Sequence, residues 1–457
     1  MRTTTSVILG LLLMAVPVFS QEWNGFVEFG YAPKLQKNAS LAAMMGLSSD
    51  GQYYAIGEQR VQLKFEHFSD EGELFLKMDF LRDNVFDKTD LLVREAYFTT
   101  TLVDWMDLKI GRQIQTWGVG DLMFINDVFP KDWISFFSGR QDEYLKAPSN
   151  ALRFGLYPEN PLVQALNISV MPFSESDINV MTEGRFASID PLYSFMANQG
   201  IFFGPAARTS REPENFEIAM RVQLKSFGGF TTSLYGYKGR WNNPYAIRPD
   251  NASNVMTPYF SKLQVYGAST RGAALGGVLS FEGGYYRSVD DLDGINPLVP
   301  NSSLRYLALY EKSLAPTLDM GIQYYGEALQ NFENIDNNVS SFLQSGGLAP
   351  LDVETFKDEF RHLLTLRLTK KMLNETLWLT WFNYFSPSDQ DFYLRPSIQY
   401  KYSDQVSFTV TGNIFGAYGD NNDEATRKAN LLPDYRNTMF GQFSDDRNIN
   451  FTARYIF

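Results

Sequence analysis

The chain has 457 residues, no cysteine and a net charge of -12. The absence of cysteine excludes disulfides, thiolate metal sites and thiol nucleophiles, and the acidic balance argues against nucleic acid as a partner. Aromatic residues make up 15% of a chain that is only 44% hydrophobic, the mixture that two aromatic girdles around a polar lumen require.

The first twenty residues read as a signal peptide (1–20). Arg2 is the basic start, residues 7–18 are the apolar run, and Val18-Phe19-Ser20 precedes the expected cleavage before Gln21. The run is too short to span a bilayer as a helix, and no later segment reaches the roughly 18 apolar residues a helix needs. Residues 21–457 are expected to form one domain, with no linker and no internal repeat.

From there the sequence alternates. Val61, Leu63 and Phe65 interleave with Arg60, Gln62, Lys64 and Glu66, and Leu74, Leu76, Met78 and Phe80 with Glu73, Lys77 and Asp79. Met106, Leu108 and Ile110 interleave with Asp107 and Lys109. The pattern returns around Glu217, Arg221 and Gln223, around Asp319, Gln323 and Glu327, and around Arg395, Ser397, Gln399 and Lys401. Less clear segments lie near 23–31, 92–100, 151–157, 162–171, 230–241, 262–270, 276–287, 303–311, 360–369 and 375–385. Period two over so many segments predicts strands with one apolar and one polar face.

The connections sort by length. Short ones, such as Ser69-Asp70-Glu71-Gly72, Pro158-Glu159-Asn160 and Ser403-Asp404-Gln405, take turns with longer and very unequal ones. Short turns on one side and long loops on the other are the outer-membrane pattern. The expected fold is an all-β transmembrane antiparallel barrel of about eighteen strands, with about sixteen as the alternative. The last segment, 448–457, puts Ile449, Phe451, Ala453, Tyr455 and Phe457 on one face and Asn450, Thr452 and Arg454 on the other. Tyr455 and Phe457 resemble the C-terminal signal by which outer-membrane barrels engage the barrel-assembly machinery.

One segment breaks the alternation. Residues 115–150 form the third long connection and carry Trp117, Asp121, Asp127, Lys131, Asp132, Arg140 and Lys146. Its rings would be exposed if the loop stood in water. It is therefore expected to fold into the lumen and form a pore constriction shaped by Trp117, Asp121, Asp127 and Asp132, faced by Arg112 and Arg153. Packing on the outer rim is the alternative. Gly111-Arg112-Gln113, Trp117-Gly118, Asp121, Asn126-Asp127, Pro130 and Asp132 together resemble a pattern in alginate-export-type barrels and related outer-membrane channel families. The resemblance covers about forty residues and implies a channel. The alginate exporters have a strongly basic lumen, whereas Arg60, Lys64, Lys109, Arg221, Arg395 and Arg454 are joined on the predicted lumen face by Glu217 and Glu282.

The expected function is an outer-membrane channel for passive or facilitated transport of small solutes across a Gram-negative outer membrane. A component of a lipid or polysaccharide export route and a surface adhesin or receptor barrel are the alternatives. The expected partners are outer-membrane lipid, the assembly machinery and a small-molecule permeant; the same strand grammar serves monomers and homo-oligomers. No cofactor or metal is expected. Asp290-Asp291-Leu292-Asp293-Gly294 and Asp420-Asn421-Asn422-Asp423 carry calcium-type oxygen ligands but neither completes a calcium loop. No enzyme is expected, because parity puts His67 and His362 on the lipid face, away from the lumen charges.

Overall fold

The computed structural model describes residues 21–36, 53–179, 185–186, 202–207, 209–250, 255–296, 298–334, 359–418 and 438–457. Residues 1–20, expected to be a signal peptide, residues 189–196, where the sequence allows a short helix, and the acidic run 420–423 lie outside them.

Eighteen strands form one sheet. In chain order they begin with β1 (Gln21–Pro33), β2 (Tyr54–Ser69), β3 (Gly72–Asp83), β4 (Lys88–Val103), β5 (Met106–Gln113), β6 (Ser149–Leu156) and β7 (Val163–Met171). A small outer sheet interrupts the series, made by β8 (Phe202–Phe203), β11 (Ala246–Asp250) and β12 (Val255–Tyr259). Between its members run β9 (Glu217–Leu224) and β10 (Phe230–Arg240). The wall continues with β13 (Lys262–Ala274), β14 (Gly277–Ser288), β15 (Ser303–Ala315), β16 (Leu318–Leu329) and β17 (Phe360–Met372). It ends with β18 (Leu377–Ser386), β19 (Asp391–Lys401), β20 (Val406–Ala417) and β21 (Asn448–Ile456).

Each wall strand pairs antiparallel with the next, and β21 returns to β1, Phe26 opposite Ile456 through Tyr31 opposite Phe451. Closure leaves no edge strand, so every spanning backbone group finds its partner inside the sheet. That is the physical condition for placing strands in lipid. The outward face meets the second condition. Phe29, Leu91, Ile110, Ile218, Leu234, Phe281, Ile322, Trp381, Ile398, Phe408 and Phe451 are exposed large apolar side chains pointing away from the interior. The chain is an outer-membrane β-barrel, with short turns at one end and the long connections at the other. Two connections on the long side are short after all: only 84–87 separate β3 from β4, and 387–390 separate β18 from β19.

The inward face is not uniformly polar. Tyr237, Tyr286, Leu307, Leu309, Tyr325, Phe382, Tyr384, Tyr393 and Phe415 point inward and belong to one buried cluster with Trp117, Phe129, Phe136 and Phe137 of the third long connection. This explains why 276–287, 303–311, 360–369 and 375–385 alternate weakly in sequence. Their strands are apolar outward because of lipid and apolar inward because of a core.

At the closing seam, the Arg454 guanidinium donates to Glu28 through Nε at 2.8 Å and lies 3.8 Å from the Phe26 ring. Phe457 and Gly25 exchange backbone hydrogen bonds of 3.0 Å in both directions. Gly25 is needed there: a Cβ would come within 3.1 Å of the Phe457 ring and 2.1 Å of the Gln62 carbonyl oxygen. The Arg454–Glu28 ion pair, with 12% and 13% of the two side chains exposed, staples the seam. Removing Phe457 should lower the yield of folded barrel on refolding. Arg454→Ala, which strands Glu28 across the seam, should cost about 1–3 kcal/mol. The cost is read as a lower temperature at which the folded band unfolds on a semi-native gel.

Candidate functional site

The third long connection leaves the wall after Gln113 and returns at Ser149, and it runs through the interior. Its first arm is held by the far wall. The Glu282 carboxylate accepts the Val119 N–H at 2.7 Å, the Asn126 N–H at 2.7 Å and the Asn126 side-chain amide at 3.0 Å. Gly118 adopts φ +82°, and a Cβ there would come within 2.6 Å of the same carboxylate. Glycine is therefore what lets the backbone pass so close. Asp121 is clamped by Arg367 through two bonds of 2.7 and 2.9 Å, while its N–H donates to Gln323 at 2.9 Å. Tyr384 donates to the Leu122 carbonyl at 2.8 Å.

The second arm carries the helix α1 (Trp133–Ser138) and then turns back along β2–β4 and β19–β21. Asp132 caps α1, accepting the Ser135 N–H at 2.8 Å and the Ser135 hydroxyl at 2.6 Å. Gly139 ends it in the left-handed region at φ 77°. Asn450 donates to the Gly139 carbonyl at 2.8 Å, and Arg140 forms an ion pair with Glu58. Asp142 takes Arg395 at 2.6 Å. Glu143 takes Lys77 at 3.2 Å and Arg454 at 3.5 Å. Tyr144 is stacked between Arg60 and Arg94, whose guanidinium carbons lie 4.2 and 4.8 Å from its ring centre. Arg94 reaches inward because a bulge in β4 makes it the extra residue between Val93, opposite Met78, and Glu95, opposite Lys77.

These contacts relocate several residues singled out from sequence. Trp117 is buried, edge-on to Phe129 at 5.0 Å and 6.0 Å from Tyr235, so it is core rather than lining. Asp127 and Asp132 also turn into the loop itself: Asp127 is ion-paired with Lys131 at 3.0 Å, both buried, and Asp132 is a helix cap. Asp121 alone of that set is held partly open to water, 27% exposed beside Arg367. Arg112 does not face the lumen. Residues three apart on a strand lie on opposite faces, and Lys109 takes the inner one. Arg112 instead donates from the outer side to the Val93 carbonyl at 2.9 Å and to Glu175 at 3.3 Å.

Most interior charges are spent in pairs. Arg60 meets Asp79 at 2.5 Å and Glu58 at 3.3 Å, and Lys64 meets Glu66 at 3.6 Å. Glu217 accepts from Ser174 at 2.9 Å. An ionic group that sequence did not reveal joins Glu58 to Arg140, Arg185 and Asp83, with Arg185 reaching in from the connection after β7. Its members are far apart in the chain, and nothing local marks them.

One arc of the wall is different. Lys109 on β5, Arg153 on β6 and Arg221 on β9 point inward along the run β5–β6–β7–β9, with Arg153 linked at 3.2 Å to Asn167 on β7, the residue opposite Arg221. None has a carboxylate partner among the described residues. Lys109 stands over the Tyr97 ring at 3.6 Å, and the Arg221 guanidinium lies 5.9 Å from Trp117. All three are partly exposed. Glu66, Glu73 and Glu95 face inward from β2–β4 alongside. A cavity of about 820 Å³ opens further round at the short-turn end, lined by Arg271, Glu311, Asp319, Arg367 and the loop's Asp121.

The outward histidines are structural. The Tyr324 hydroxyl lies 2.7 Å from His362 Nδ1, and His67 stacks on Phe65. Two acids of the 290–294 turn are taken by backbone donors: Asp290 accepts the N–H of Lys262 on β13, and Asp291 those of Ile295 and Asn296.

No family model matches the chain, and no curated protein matches it. Among solved structures it is similar to Pseudomonas aeruginosa OccK11 (OpdR), at 10% identity over 95% of each chain with a TM-score of 0.49. It is similar to OccK5 (OpdH) of the same organism, at 10% identity over 96% of this chain and 98% of that one, TM-score 0.48. A third likeness is to Vibrio cholerae OmpT, at 9% identity over 96% and 99%, TM-score 0.43. The barrel stands on its own register and its outward apolar belt.

Glu282→Ala would strand three donors of the loop, each worth about 1–3 kcal/mol when buried and unpaired. The first arm should then detach, read as trypsin cleavage at Lys131 or Arg140 in the folded barrel; an uncut loop would show that Glu282 is no anchor. Acid should have the opposite outcome for the second arm. Burial pushes the Asp142 carboxyl up, but Arg395 and Arg367 outweigh it and hold it below its ordinary value. A lowered carboxylate keeps its contribution until pH falls below the ordinary carboxylate range. Resistance of the loop to proteolysis should therefore be the same at pH 7 and at about pH 5.

Proposed function

We propose that the protein is a porin-like channel for small hydrophilic solutes, constricted by its third long connection, and that its passage favours anions. The observation that carries the reading is the contrast around the wall. On β14 and β16–β21 and on β2–β4 the loop is stapled down by ion pairs and hydrogen bonds. On the β5–β6–β7–β9 arc the wall instead offers Lys109, Arg153 and Arg221, partly exposed and without carboxylate partners among the described residues. Unpaired charges in a barrel interior line water, since neither lipid nor a packed core accepts them. A row of cations beside a row of carboxylates also sets up a field across the passage.

The chemistry needed is modest. A solute sheds part of its hydration at the narrowest point, and fixed charges replace it weakly enough to let go. Two planar-bilayer measurements test this. Deleting residues 120–145 should raise single-channel conductance, and an unchanged conductance would sink the constriction. Replacing Lys109, Arg153 and Arg221 together by Gln should move the reversal potential toward cation preference. A protein that conducts nothing even after the deletion would favour the adhesin or receptor alternative.

A further inference from the structure

The outward face of the barrel carries one basic area that the channel reading does not use. On β10, β13 and β14 the buried inward residues are Tyr237, Val265 and Tyr286. Their neighbours must point outward. Lys238 lies opposite Gln264, and Gln264 opposite Arg287, so the three form one continuous row across three strands. One step further toward the long loops, Arg240 lies opposite Lys262.

Directly below the row, on the side of the membrane centre, Tyr266 lies opposite Tyr285, 54% and 39% exposed. Below them come Leu234, Ala268 and Phe281. The surface thus runs from apolar through an aromatic step to a cationic row, in the order in which a bilayer runs from acyl chain through interface to headgroup.

The cations are available. Lys238 is exposed and has no acceptor among the described residues. Arg287 uses one nitrogen on Gln264 at 2.8 Å, and Tyr266 donates to the same amide at 3.2 Å. Asp290, the carboxylate placed against this area, is engaged by the backbone N–H of Lys262 at 2.9 Å. Cations at the same end of β3 and β4 are committed instead: Arg82 to Asp87, and Lys88 to Asp90 at 2.9 Å.

We propose that this row binds the phosphate of an outer-leaflet lipid. Strand spacing of about 4.8 Å puts the Lys238 and Arg287 backbones about 10 Å apart, within reach of one phosphate through two long side chains. The site is continuous with the lipid-facing wall and lies at headgroup depth. Its occupant is therefore a membrane phospholipid or phosphorylated glycolipid rather than a solute.

The test uses the full barrel in neutral detergent and native mass spectrometry. A bisphosphorylated glycolipid, its dephosphorylated form and inorganic phosphate are titrated separately. The wild type should bind the phosphorylated lipid in preference to the dephosphorylated one. The double variant Lys238→Gln with Arg287→Gln should lose at least about tenfold in that affinity, since each charge-assisted bond is a strong one. Lys238→Arg with Arg287→Lys should retain it, and Arg82→Gln should leave it unchanged. Heat-modifiability on a semi-native gel checks that each variant is folded. Equal binding of both lipids, or a folded Gln variant that binds as the wild type does, would overturn the site. Inorganic phosphate competing at concentrations similar to the lipid would overturn its assignment to a lipid.

Discussion

A connection that leaves the wall at Gln113 and returns at Ser149 can occupy the interior only if the wall satisfies its backbone donors and its charges. Everything distinctive about this barrel follows from that demand. Glu282 supplies acceptors to three loop donors, Arg367 meets Asp121 with two bonds, and Arg395 meets Asp142. In return, the loop fills the barrel with aromatic rings, which is why Tyr384, Tyr393 and Phe415 point inward where a water-filled pore would hold polar groups.

The sharing of duties follows the chemistry of the side chains. Arginine predominates at the clamps, because its planar fork can hold a carboxylate with two bonds. Glutamate 282 sits where only N–H donors arrive, and no cation of the loop competes for it. The arc left over, with Lys109, Arg153 and Arg221, keeps cations that no carboxylate among the described residues pairs.

The wall was legible in the sequence wherever its two faces differ. Around Val61 to Glu66 and around Phe451 to Arg454, lipid on one side and polar interior on the other write a plain period of two. Legibility failed where both faces are apolar, as at Leu377 to Phe385, because lipid and loop core make the same demand. The loop's inward course could be read from its rings. The roles of its charges could not: Asp127, Asp132 and Asp121 look alike in sequence, yet one pairs within the loop, one caps a helix and one reaches the wall. Arg112 shows the cost of ignoring parity at the end of a strand. The Glu58–Arg140–Arg185 group joins one strand and two connections far apart in the chain, which no local pattern reports.

Wall charges hold the third connection across the lumen, and a charge exchange at Asp121 and Arg367 tests this most directly. Single-channel recordings would compare the wild type, Asp121→Arg, Arg367→Asp and the double exchange. Each single change should raise the conductance and the open-channel noise, because like charges would then face each other across a gap that now measures 2.7 Å. The double exchange should restore a quiet, narrow channel. Single changes that leave the recordings as they were, or a double exchange no better than either alone, would contradict the claim.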